Sequence, residues 1–97
     1  MHLSFTGPLF EWRGPAPFHF VAVPPEQAAD LAEVAPAVSY GWGMVPVSGT
    51  IGATDFTTAL WPSEGGYVVP VKDAVRRAEG LELGEQVTVS LVVAGLP

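Results

Sequence analysis

Apolar and polar residues alternate over residues 3–6, the period of two expected of a half-buried strand. Gly7-Pro8 interrupts the pattern, which resumes over residues 9–12, and Gly14-Pro15-Ala16-Pro17 predicts a rigid turn. Residues 18–23 are rich in aromatic and β-branched side chains and predict a strand, ended by Pro24-Pro25. The period then changes. Proline suits the first turn of a helix, Glu26 and Asp30 lie toward the positive end of a helix dipole, and Ala28, Ala29 and Ala32 share a face. A helix is therefore predicted over residues 25–34, with Pro36 as its stop. Tyr40-Gly41-Trp42-Gly43 reads as a loop. Strands are predicted over residues 44–51, 56–61 and 67–69, with turns at 52–55 and 62–66, and Pro46 suggests an edge strand or a bulge. Val71, Ala74, Val75 and Ala78 recur at helical spacing before Gly80, a natural C-cap. Residues 86–94 form the last strand, in which Val87, Val89, Leu91 and Val93 alternate with Thr88, Ser90 and Val92.

The chain also resembles itself. Val21-Ala22-Val23-Pro24 precedes the first helix as Tyr67-Val68-Val69-Pro70 precedes the second. Aligning the prolines matches Ala28 with Ala74, Ala32 with Ala78 and Glu33 with Glu79, which would give the two helices equivalent buried faces. Either this is coincidence in an alanine-rich chain, or two strand–helix–strand units related by a pseudo-twofold interdigitate into one barrel. The predicted fold is all-β: a small closed or split β-barrel of about six or seven strands, with two short helices over its ends or seams. It is read as a single domain spanning residues 1–97.

Composition narrows the function classes. The chain is 48% hydrophobic and only 14% charged, too apolar to stay disordered. It has no cysteine, which excludes disulfides, thiolate metal sites and a cysteine nucleophile. Its first residues lack the basic and apolar regions of a signal peptide, and no apolar run reaches membrane-span length, so a cytoplasmic location without membrane contact is expected. The net charge of −6 repels nucleic acid, leaving that partner last in rank. Arg13, Lys72, Arg76 and Arg77 are the basic side chains, and three of them cluster.

Several segments together resemble the bacterial family called domain of unknown function 1905. They are Gly43-Met44-Val45-Pro46-Val47, Thr50-Ile51-Gly52, Phe56-Thr57-Thr58-Ala59-Leu60-Trp61-Pro62, Gly66-Tyr67-Val68-Val69-Pro70-Val71-Lys72, Ala74-Val75-Arg76-Arg77-Ala78-Glu79-Gly80, and Gly84. The resemblance implies a small β-barrel with two helices and no assigned activity. Many members carry lysine or arginine where this chain has Thr57, a departure that counts against an anion site on that strand. The run from Val69-Pro70 through the helix to Gly80-Leu81 and Gly84 is also similar to one half of the swapped-hairpin AbrB/MazE barrels, which are dimeric regulators and antitoxins. That likeness implies a homodimer or interaction module. Carrying DNA binding over meets two departures, the acidic chain and the missing basic loop residues.

Candidate chemistry centres on aromatics and the basic cluster. Trp12, Tyr40, Trp42 and Trp61 stand at or near loops and either line a pocket or plug the barrel ends. Thr58, Tyr40 and Lys72 would supply polar lining. Lys72 and Arg76 are spaced as an anion clamp, or else pair with surface acids such as Glu26, Asp30 or Glu33. Asp73 and Arg77 form an i,i+4 pair of opposite charge. His19 is placed opposite Phe18 and Phe20, toward solvent if those face inward. No nucleophile elbow, phosphate loop, dinucleotide fingerprint or metal motif is present. The first expectation is a non-enzymatic small-molecule-binding module with no cofactor, with ligand-binding residues Trp12, Tyr40, Trp42, Thr58, Trp61, Lys72 and Arg76. A homodimerisation or protein-interaction module and a barrel enzyme for a small hydrophobic metabolite are the alternatives.

Overall fold

The computed structural model describes residues 1–12 and 18–95; Arg13 and the turn expected at 14–17 lie outside the described residues. Seven strands and two helices follow in the order β1 (His2–Pro8), β2 (Phe10–Trp12), β3 (Phe18–Ala22), α1 (Pro25–Val38), β4 (Val45–Ile51), β5 (Thr54–Ser63), β6 (Gly66–Pro70), α2 (Asp73–Glu79) and β7 (Gln86–Val93). Every ladder is antiparallel, and the strands form one sheet in the order β1-β7-β4-β5-β6-β3-β2.

The alternation read from the sequence becomes the inner face. Leu3 and Phe5 of β1, Val45, Val47 and Ile51 of β4, and Val87, Val89, Leu91 and Val93 of β7 are all buried. Val21, Leu60 and Val69 complete that face from β3, β5 and β6. Full burial of one valine or leucine side chain contributes about 1.5–3 kcal/mol. The sheet is open and curled, which corrects the closed form of the expected barrel. At one end β1 approaches β3, the strand next to the other end, without forming a ladder. The first strand bends at Leu9 instead: its first part pairs with β7 and its second with β3, so one stretch of chain serves both ends of the sheet. Leu9 is buried at the bend, and its backbone is held by Glu85 and Gly84.

Local expectations need adjusting at five places. The helix α1 runs through Pro36 to Val38, because the carbonyl left without a partner belongs to Ala32, on an exposed turn that water reaches. Its buried residues are Ala28, Leu31 and Ala35, whereas Ala29 and Ala32 face outward. In α2 the inward contact comes from Val75, and Ala74 and Ala78 are exposed. The hairpin turns shrink to two residues, because Ile51 already pairs with Thr54 and Ser63 with Gly66. Finally, Pro46 is neither on an edge strand nor in a bulge. It lies in the regular β4–β5 register, where β7 is ending, and its carbonyl accepts the Ala94 N–H at 2.9 Å.

The internal repeat is visible in the strands. Exchanging β1 with β5, β3 with β6 and β4 with β7 preserves every neighbour relation except that of β2 with β3, provided β1 lies beside β3, as it does. Pro70 stands 46 residues after Pro24; Val93 stands 46 after its partner Val47, and Val68 stands 46 after its partner Ala22. A twofold between each pair produces such self-matched partners. The helices do not follow: Ala28 is buried, but its match Ala74 is exposed, so the equivalent helix faces expected from the sequence are not found. The strand β2 has no counterpart in the second half. No helix of the described residues is long and apolar enough to cross a membrane.

A Cβ at Gly49 would lie 2.5 Å from Phe56 Cζ and 2.9 Å from Leu91 Cδ2. Gly49→Ala is expected to cost about 1–3 kcal/mol by overpacking, measured by urea denaturation. In a Phe56→Ala background the same change should cost markedly less.

Candidate functional site

The aliphatic inner face leaves the large aromatics on the outside of the sheet. Phe20 and Val68 are buried, yet they lie apart from the main core. Strand pairing sets Trp61 beside Val68 and Trp12 beside Phe18. Phe18, Phe20 and Trp61 form a triangle of rings: Phe18–Trp61 and Phe20–Trp61 have centroids 5.1 Å apart with edge-on geometry, and Phe18–Phe20 are 6.2 Å apart. Phe10 joins them at 5.9 Å from Phe20. The aromatics therefore do not plug the interior.

A cleft of about 600 Å³ opens beside this triangle. Phe18, Tyr40, Met44, Trp61 and Pro70 supply its apolar walls, and His19, Thr58, Lys72 and Asp73 its polar groups. Because Phe18 and Phe20 face outward, His19 shares the inner face with Val21 at the rim of the sheet. Its side chain is largely covered, not solvent-facing as the inward placement of the phenylalanines would have required, and its Nε2 lies 3.7 Å from Glu11 Oε2. Lys72 immediately precedes α2, and its Nζ donates to the Thr57 carbonyl at 3.2 Å.

The residues singled out in the sequence divide among several places. Tyr40, Thr58, Trp61 and Lys72 line this cleft. Trp12 lies over a separate groove against the exposed alanines of α1. Arg76 turns onto Asp73, with Arg77 4.0 Å from the same carboxylate. Lys72 and Arg76 thus do not assemble as a clamp, and neither pairs with Glu26, Asp30 or Glu33. Trp42 stands alone. Tyr40 and Met44 exchange two backbone hydrogen bonds of 2.9 Å, closing a tight loop whose Gly41 and Gly43 have φ of 58° and 85°. That left-handed backbone suits glycine, and it leaves Trp42 96% exposed at the tip.

Sequence reading missed Phe18, His19, Met44 and Pro70 as lining. The alternation around His19 was legible, but the sign of the face depended on which strands flank β3. A second concavity, of about 570 Å³, lies over the outer face of β1, β7, β4 and β5. It is lined by hydroxyls such as Ser48, Thr50, Thr57 and Ser90 and has no aromatic wall beyond Phe56. Among the described residues, no group of three or more acidic or histidine side chains gathers as a metal site.

Fold and site together define a small, curled, antiparallel β-sheet protein with two helices and an aromatic-walled surface cleft. The chain belongs to the family described as a domain of unknown function (DUF1905), whose profile matches residues 5–91. No curated protein matches it.

Trp42 touches too little to hold the fold. Trp42→Ala should change stability by less than about 0.5 kcal/mol. It should also remove the most red-shifted, iodide-quenchable part of the tryptophan fluorescence.

Proposed function

We propose that this chain is a non-enzymatic binding module that holds a small molecule in the cleft between Phe18, Tyr40, Met44 and Trp61. The supporting observation is the cleft's composition: partly exposed aromatic walls around a few polar groups, at a volume within the range of small-molecule sites. Among the described residues nothing covers the apolar surface at Phe18 and Tyr40, and a bound ligand would remove it from water.

One observation favours a second reading, an interaction or homodimer surface. Phe10 and Trp12 are exposed on β2, a three-residue strand whose outer edge is unpaired among the described residues. Aromatic side chains are enriched in such interfaces.

A thermal-shift screen against small metabolites separates the two. A ligand that binds only the folded chain at about a hundred times its Kd adds about 2.7 kcal/mol, and each kcal/mol raises Tm by about 4–8 °C at this size. The shift should vanish in Tyr40→Ala and persist in Trp42→Ala, whose side chain lies outside the cleft. No shift with any compound, together with a dimer in sedimentation that Trp12→Ser dissociates, would replace the cleft reading by the interaction surface.

A further inference from the structure

We infer that the cleft selects a small monocarboxylate with an apolar or aromatic body, anchored by Lys72; this rests on the cleft reading above. The first argument is a charge census. The chain carries −6 overall, yet its described lysine and arginine side chains, Lys72, Arg76 and Arg77, all lie in or beside α2. Asp73 also lines the cleft, but both arginines draw on its carboxylate. Among the described residues, Lys72 has no carboxylate within ion-pair distance. An ammonium has three N–H donors; one is used on the Thr57 carbonyl, and the others remain for a ligand.

The second argument concerns the type of anion. A phosphate or a dicarboxylate is best held by a guanidinium fork or several converging donors. Among the described residues no guanidinium lines the cleft, and Arg76 turns one terminal nitrogen onto Asp73. One ammonium beside apolar walls suits a single negative charge on an apolar body. His19 turns its Nε2 toward Glu11, 3.7 Å from Oε2.

The third argument comes from broken symmetry. With the offset of 46 that aligns Pro24 and Pro70, Lys72 corresponds to Glu26, Phe18 to Glu64 and His19 to Gly65. The twofold-related groove, walled by Phe10, Trp12 and Tyr67, thus has a carboxylate at the position matching Lys72. A positive charge beside aromatic walls is found at one of the two related places, although the shared core does not require it there.

The test is a titration of the ¹⁵N-labelled chain with 3-phenylpropionate and with its neutral isostere 3-phenylpropionamide. The acid should bind more tightly by roughly ten- to a hundredfold, as a charge-assisted hydrogen bond allows. It should shift the amides of Thr58, Val71 and Lys72, and its affinity should fall with added salt. Lys72→Met, which keeps the side-chain stem, should bring the acid down to the amide's affinity and leave the amide unchanged. Equal binding of acid and amide at these residues would overturn the carboxylate inference and leave the cleft reading intact. Shifts from neither compound, nor from hexanoate or indole, would overturn the cleft reading itself.

Discussion

Val47 faces Val93 and Gly49 faces Leu91 across the inner faces of β4 and β7, and the side chains of Leu91 and Phe56 crowd position 49 so closely that a Cβ there would lie within 3 Å of both. Interiors of this kind are close-packed, and an added methyl has nowhere to go. The inner face is accordingly filled by valine, leucine and isoleucine, with Phe5 as its fully buried aromatic and Phe56 and Tyr67 packed only partly against it. The remaining large rings are displaced to the outer face of β2, β3, β6 and β5. There they pack on one another and leave part of their surface to solvent. The cleft follows from that displacement.

The curled sheet also needs its ends managed, because an exposed edge presents unpaired backbone groups. The bend at Leu9 lets one strand serve both ends, and it carries β2 to the edge beside β3. This element breaks the pseudo-twofold. The strand order and the self-matched pairs Val47–Val93 and Ala22–Val68 keep the repeat, while β2, the longer α1 and the changed residues at Glu26 and Glu64 depart from it. A shared core constrains the buried positions of both halves alike. The surface is free to differ, and that is where the cleft lies.

The polar chemistry of the cleft is set by competition among few charges. Asp73 begins α2 and draws both Arg76 and Arg77 toward its carboxylate, so the two arginines of the basic cluster are turned onto their own helix. Lys72, one residue earlier, still has extended backbone and projects toward β5 instead. Lys72 at the helix start thus faces a cavity, while Arg76, one turn further on, is paired locally.

The elements themselves were legible from local pattern, because period two and period 3.6 reflect the geometry of strand and helix directly. The strands of the second half, the helix around Val75, the Gly80 cap and the aliphatic core of β4 and β7 all follow from that. Of the residues singled out from the sequence, Tyr40, Thr58, Trp61 and Lys72 line the cleft, whereas Trp12, Trp42 and Arg76 lie elsewhere. Tertiary structure decided the side on which each pattern faced. Alternation around His19 is the same whichever face is buried, and only the placement of β3 between β6 and β2 turned Phe18 and Phe20 outward and His19 toward the rim. Likewise Trp42 and Tyr40 are two residues apart in a glycine-rich loop, yet one lines the cleft and the other touches almost nothing, because the double hydrogen bond between Tyr40 and Met44 forces the tip away from the sheet. Local periodicity fixes an element and its two faces, whereas the choice between those faces depends on distant strands that sequence spacing does not encode.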